Sequence, residues 1–284
     1  RQEDCLSNIR QRLKAYDSSG IRVSFAIGIA EQNHLISTVS ADELNSFLQS
    51  LSPQAREAAR AVLPKPDAMD ADGYMDLMEE LYVEYANHPR IDIWFGPPGP
   101  AWVSDKLFQR IAERARVLIT GVQTHLTESF YEKLSAIRMY GTSALLHLRD
   151  LGVLGPHVSL AHCVWLTEKD IAALAESGAA VSHNPSSNLR LRAGIAPLNA
   201  LLQAGIPVAL GLDGMGFDDD DDFFREMRVA HRLRGSPFIR HATPATSDVF
   251  TMATTKGARL LRKEDRIGRI EPSYSAELIL VDVS

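Results

Sequence analysis

A parallel α/β barrel is the fold class the sequence predicts, and three observations predict it. Short apolar runs alternate with amphipathic stretches along the chain. None of the runs shows the in/out alternation of a strand with one wet face, as expected of strands covered on both sides. No phosphate-binding turn follows a strand, because Gly211, Gly214 and Gly216 are wrongly spaced for a dinucleotide loop, and this weighs against a doubly wound sheet. With 284 residues, 45% hydrophobic and 23% charged, the chain can bury one large core and is not a disordered segment.

In chain order, strands are predicted over residues 21–29, 91–95, 116–120, 158–161, 179–182 and 206–210. Helices are predicted over 41–62, 69–87, 105–114, 131–151, 168–177 and 197–203. Their ends carry the expected punctuation. Thr167-Glu168-Lys169-Asp170 reads as a capping box, in which a threonine hydroxyl and an acid each satisfy an orphan N–H. Gly178 and Gly205 follow two helices where a left-handed residue costs least. Repeated strand–helix alternation means parallel strands joined by right-handed crossovers. After Leu261 the texture changes. Two strands, 267–270 and 276–282, are expected around Pro272, which divides the chain into a barrel over 1–262 and a small β appendage over 263–284.

Composition narrows the function. A net charge of −6 argues against a polyanion-binding surface and hence against nucleic acid. No run approaches the length of a membrane span and no signal peptide is visible, so a cytoplasmic protein is expected. Two cysteines, Cys5 and Cys163, make no disulfide framework.

In a parallel barrel the chemistry sits at the C-terminal ends of the strands. His125, Glu128, His162, His183, Asn184 and Asp213 all fall there. Each alone has an ordinary reading. His125 with Glu128 reads as a surface histidine beside a helix-starting acid, His162 as a core histidine and Asp213 as a turn or N-cap aspartate. Their joint placement favours a site, and imidazole with carboxylate suits Zn²⁺ or Fe²⁺. Cys163 reads as an inert buried thiol. Residues 218–222 read as an acidic helix start with Phe223 and Met227 facing inward, and Trp94, Phe95 and Trp102 as core or as an aromatic wall.

These motifs carry a resemblance: Gln-Thr-His125-Leu-Thr-Glu128, Leu160-Ala-His162-Cys-Val-Trp-Leu166, His183-Asn-Pro-Ser-Ser-Asn188, Gly211-Leu-Asp213-Gly and Glu226-Met-Arg228. In combination they resemble the cytosine deaminase and chlorohydrolase-like branch of the amidohydrolase superfamily, which includes triazine hydrolases and guanine deaminases. The resemblance implies a TIM-type (β/α)8 barrel of which this chain supplies strands three to eight, the C-terminal segment being part of a composite β-sandwich. It implies one divalent metal, zinc before iron, with His125 and Asp213 as ligands and His162 either ligating or polarising the substrate. It also implies catalytic roles for Glu128, His162 and Asp213. Glu128 shuttles a proton to the leaving group while a metal-bound hydroxide attacks a ring carbon. Gln123 and Asn184 are candidate substrate-binding residues.

The implied activity is an aminohydrolase acting on a small N-heterocycle (a purine, pyrimidine or triazine) in a homo-oligomer. The same site admits release of a halide or an alkylamine, and a non-catalytic binding subunit is the rival from another class. There is one departure. The family's His-x-His pair is absent, since no two of the nine histidines are two apart. With no initiator Met, the chain reads as lacking about a hundred N-terminal residues, and by itself is expected to bind metal incompletely and to be inactive. No lysine ends the run Ile91–Phe95, which favours one metal over two.

Overall fold

The computed structural model describes residues 2–32, 41–63, 69–214, 216–217, 220–233 and 244–281. Six strands lie in one sheet in chain order: β1 (Val23–Ile27), β2 (Ile91–Phe95), β3 (Val122–Leu126), β4 (Val158–His162), β5 (Ala180–His183) and β6 (Val208–Leu210). The pairs β1–β2, β2–β3, β4–β5 and β5–β6 are parallel, consistent with part of a barrel. The chain divides into two compact units, one of Arg1–Thr124, Arg138–Gly141 and Asp150–Val153, the other of His125–Ile137, Thr142–Arg149 and Leu154–Ser284.

The first unit holds α1 (Gln2–Ser19), β1, α2 (Ala41–Ser50), α3 (Pro53–Val62), α4 (Ala71–Tyr85), β2 and α5 (Asp105–Val117). Residues 41–62 were expected as one helix and form two. Pro53 has no N–H to continue a ladder, and Ser52 caps the new helix by accepting from the Ala55 N–H at 3.2 Å. The Arg56 guanidinium donates to the carbonyls of Leu48 and Gln49 at 2.8 and 2.9 Å, satisfying two orphans at the end of α2.

Helix α4 buries Tyr74, Leu77, Met78 and Leu81, the spacing of one helical face. The Tyr74 hydroxyl donates to the Ile27 carbonyl at 2.6 Å and so ties α4 to the end of β1. A Cβ on Gly121 would lie 2.3 Å from the Trp94 indole, so that ring is packed on bare backbone. With Trp94 at 5% and Phe95 at 0% exposure, both are core residues and neither is part of an aromatic wall.

The expected strand over 116–120 is the end of a helix. Amphipathic α5 runs to Val117, the Leu118 N–H bonds back to Arg114, and the apolar Val117 and Ile119 are exposed. The strand follows at Val122–Leu126, which puts His125 inside it.

The second unit holds α6 (Phe130–Tyr140, whose last residues belong to the first), α7 (Ala144–Asp150), α8 (Glu168–Ser177), α9 (Pro185–Arg190), α10 (Leu198–Gln203), α11 (Phe223–Leu233), α12 (Thr246–Met252) and α13 (Thr255–Leu260). The helix expected over 131–151 is broken between α6 and α7, where Gly141 takes φ +68°. The capping box at Thr167 is present: its hydroxyl accepts from the Asp170 N–H at 3.2 Å, and the Asp170 carboxylate accepts the Thr167 N–H at 2.7 Å.

Helix α11 buries Glu226 and Ala230 in place of Phe223 and Met227; Phe223 is 37% exposed. The Asp222 carboxylate accepts the N–H groups of Phe224 and Arg225, an acidic helix start, while residues 218 and 219 lie outside the described residues. No strand forms over 267–270 or 276–281. A strand exists only against a partner's ladder, and these residues find none: Ile270 and Leu280 are exposed among the described residues. The β appendage is therefore not seen.

Candidate active site

The sequence-predicted residues of the second unit gather where strands end. His162 closes β4 and is 1% exposed. The Glu128 and Asp213 carboxylates each bring an oxygen to 3.8 Å from its Nε2. The His125 ring stacks on the His162 ring at 5.3 Å between centroids, although His125 itself is exposed. Glu128 sits in the turn before α6 and not on a helix. Its N–H donates to the Glu132 carboxylate at 3.0 Å, and local desolvation pushes the Glu132 carboxyl above its ordinary value although the residue keeps contact with solvent.

The backbone here is unusual. Thr127, His162, Cys163 and Asp213 all have positive φ, at 47°, 70°, 49° and 67°. Each such residue costs about 1–2 kcal/mol, and a β-branched threonine is an outlier in that region. The loops hold one another in place. The Cys163 N–H bonds to the Leu126 carbonyl at 3.0 Å, and those of Val164 and Trp165 to the Thr127 carbonyl at 3.2 and 3.1 Å. Strain concentrated and over-determined at one set of strand ends is a mark of a functional site.

Helix α9 sets two of the polar groups. The Asn188 side-chain oxygen lies 2.9 Å from Nδ1 of His162. An amide oxygen only accepts, so Nδ1 carries a proton, and Nε2 is the nitrogen that faces the two carboxylates. The Ser187 hydroxyl donates to Asp213 at 2.5 Å, and the Gly214 N–H donates to the other oxygen of the same carboxylate at 2.7 Å. Asp213 is thereby held in place as an acceptor. In turn α9 is held by the buried Glu226, whose carboxylate accepts the Ser186 N–H at 3.0 Å and the Ser186 hydroxyl.

His183 closes β5. Pairing of Leu160 with Val181 and Ala161 with Ser182 puts His183 level with His162 and on the same face of the sheet. It is 1% exposed, and neither ring nitrogen has a hydrogen-bond partner. Burial first, then the neighbouring His162, holds its imidazole down to about 4, so the ring is neutral at pH 7.

Of the other candidates, Asn184 is buried, accepts from the Ser182 hydroxyl at 3.2 Å, and packs so closely on Gly211 that a Cβ there would lie 2.3 Å from its side-chain oxygen. Gln123 is half-buried on β3, in the first unit. The Cys163 thiol is fully buried, and burial pushes it far up, which makes it inert as expected.

Sequence reasoning assigned nothing to Asn188, Ser187, Glu132 or Glu226. Asn188 and Glu226 lie inside motifs it had singled out, so their place in the chain was visible and their task was not.

In kind, these donors fit a divalent ion. An imidazole oriented by a hydrogen-bond partner behind it, with carboxylate side chains beside it, is how protein ligands for zinc-class metals are prepared. Among the described residues no group of three or more His, Cys, Asp or Glu side chains is arranged to hold an ion, so the donors converge without closing a cage.

A family model described as "Amidohydrolase family" matches residues 3–283. A 5-methylthioadenosine/S-adenosylhomocysteine deaminase of Teredinibacter turnerae is 38% identical over 221 residues, covering 76% of this chain and 49% of that protein. A 5'-deoxyadenosine deaminase of Methanosarcina mazei is 37% identical over 194 residues, covering 68% and 44%. Among solved structures, a zinc-bound adenosine deaminase from Xanthomonas campestris is similar with a TM-score of 0.70 at 33% identity, covering 74% of this chain and 48% of that one. A zinc complex of atrazine chlorohydrolase from Arthrobacter aurescens matches 95% of this chain and 55% of that one, with a TM-score of 0.79; at 23% identity this is a likeness of fold. The chain spans about half the length of the curated relatives it matches.

Proposed function

The chain belongs to the amidohydrolase family, and from that premise we propose that the protein is a metal-dependent aminohydrolase that replaces a ring amino group of a small N-heterocycle by oxygen. Among ring amines the reading favours aminopurines, because relatives 38% and 37% identical are named 5-methylthioadenosine/S-adenosylhomocysteine deaminase and 5'-deoxyadenosine deaminase. The observation that carries it is the convergence of the Glu128 and Asp213 carboxylates on Nε2 of His162, each at 3.8 Å.

His125 and Asp213 are the residues that would hold the ion, with His162 beside them. When bound, the ion acts as a Lewis acid that brings water into its nucleophilic form near neutral pH. Everything else is supplied by side chains. Asp213, pinned by Ser187 and Gly214, aims a carboxylate at the attacking water and orients it. His162, with Nδ1 engaged by Asn188, can bind and polarise the group on the attacked carbon. Glu128 accepts a proton from the water and donates it to the departing nitrogen. Ring C–NH₂ plus water thus gives ring C–OH, or its keto tautomer, plus ammonia. A halide needs no proton to leave, so a carboxylic acid poised beside the reacting centre favours an amine as leaving group.

Ammonia release from adenosine, guanine, cytosine and an aminotriazine is the direct test, measured on the zinc-supplemented whole protein with every segment that completes the metal site. Release from at least one ring is expected. In Glu128→Gln that rate should fall about 100-fold or more, and retention of more than a few per cent of it would remove Glu128 from the mechanism.

A further inference from the structure

Among the described residues of this unit, His183 is the strand-end histidine to which the proposed chemistry gives no task. We infer that His183 is a substrate-binding residue, hydrogen-bonding a ring nitrogen or amino group on the edge of the heterocycle; this rests on the aminohydrolase reading above. The geometry comes first. The ring lies level with His162 on the same face of the sheet, and hence on the side where Glu128 and Asp213 converge.

Its chemistry comes second. Both nitrogens are buried without a partner, although buried polar groups are almost always paired. A histidine kept for packing would bond through at least one nitrogen. At a position needing only bulk, an apolar side chain like that of Val181, two residues earlier on the same face, would serve without the penalty. A neutral imidazole offers one N–H and one lone pair. The edge of an aminated N-heterocycle offers the complementary pair, a ring-nitrogen acceptor and an amino donor. A site that leaves such groups unpaired until the ligand arrives discriminates strongly against analogues lacking the matching atom.

The test compares adenosine with its 1-, 3- and 7-deaza analogues, each of which replaces one ring nitrogen by C–H. Kinetics and binding are measured on the zinc-supplemented wild type and on His183→Leu and His183→Gln. The wild type should disfavour one analogue by about tenfold or more. That preference should vanish in His183→Leu and survive in part in His183→Gln, with KM moving more than kcat. Thermal melting should show His183→Leu no less stable than the wild type, since it removes two unpaired buried nitrogens. Equal handling of all analogues by the wild type overturns the inference, as does an unchanged preference in His183→Leu. Should His183→Leu fail to fold, His183→Gln and His183→Asn decide: an altered preference sustains the inference and an unaltered one overturns it. Absence of binding and of ammonia release with every ring tried removes the functional reading and this inference with it, whereas turnover with an unaltered preference removes this inference alone.

Discussion

Four strained residues show how far chemistry and conformation part company at the level of single side chains. Nothing in the identities of Thr127, His162, Cys163 and Asp213 announces positive φ, and a threonine argues against it. His162 and Asp213 nevertheless stood out as candidates, because imidazole and carboxylate at strand ends have few uses. What stayed hidden was the layer behind them. Asn188 is an ordinary polar residue until α9 places its oxygen 2.9 Å from His162. Replacing it with leucine leaves Nδ1 of His162 without an acceptor and frees the imidazole to take the other tautomer. The expected result for Asn188→Leu is a loss of about 10–100-fold in kcat/KM or zinc affinity, read by steady-state kinetics and by zinc titration. A variant with unchanged kinetics and affinity would mean the tautomer of His162 is set by something else.

Among the elements, those whose burial pattern was unambiguous were read correctly. Ile91–Phe95 is covered on both faces and appears as the strand expected, and Glu168–Ser177 is bounded by the capping box and by Gly178 at φ +73°. Errors came where local signals conflict. The β-branched and apolar residues 117–119 look like a strand but hang exposed off the end of α5. The apolar tail over 276–281 has the right composition for a strand, yet a strand needs a partner that composition does not supply. The inner face of α11 was expected to carry Phe223 and Met227, and it carries Glu226 and Ala230. Glu226 is 1% exposed and anchors α9 through Ser186. Its truncation orphans a backbone N–H and a hydroxyl at the foot of the helix that carries Ser187 and Asn188. Glu226→Ala should therefore cost about 2–3 kcal/mol in urea unfolding and lower kcat/KM with it. If stability fell while kcat/KM held, α9 would find its place without this anchor.

For the molecule as a whole, an acidic net charge of −6, no helix among the described residues long and apolar enough to cross a membrane, and a site of buried imidazoles set how stability must respond to pH. The His183 imidazole is depressed from 6.5 in the unfolded chain to about 4 in the folded one. The unfolded state therefore binds this proton more readily, so the stability it contributes is present above pH 6.5 and is lost progressively as the pH falls toward 4. The shift corresponds to roughly 3 kcal/mol of stability by pH 4. Glu132 acts in the opposite sense: local desolvation raises its carboxyl, so protonation in acid favours the folded state and offsets part of the loss. The two contributions separate in a comparison of metal-free wild type and His183→Leu, unfolded in urea with a chelator present between pH 7 and pH 4. The wild type should lose about 3 kcal/mol more than the variant over that range, because only the wild type must carry an unprotonated buried imidazole into acid. Parallel pH profiles for the two proteins would show instead that water reaches His183 freely, and the burial that makes its nitrogens informative would have to be abandoned.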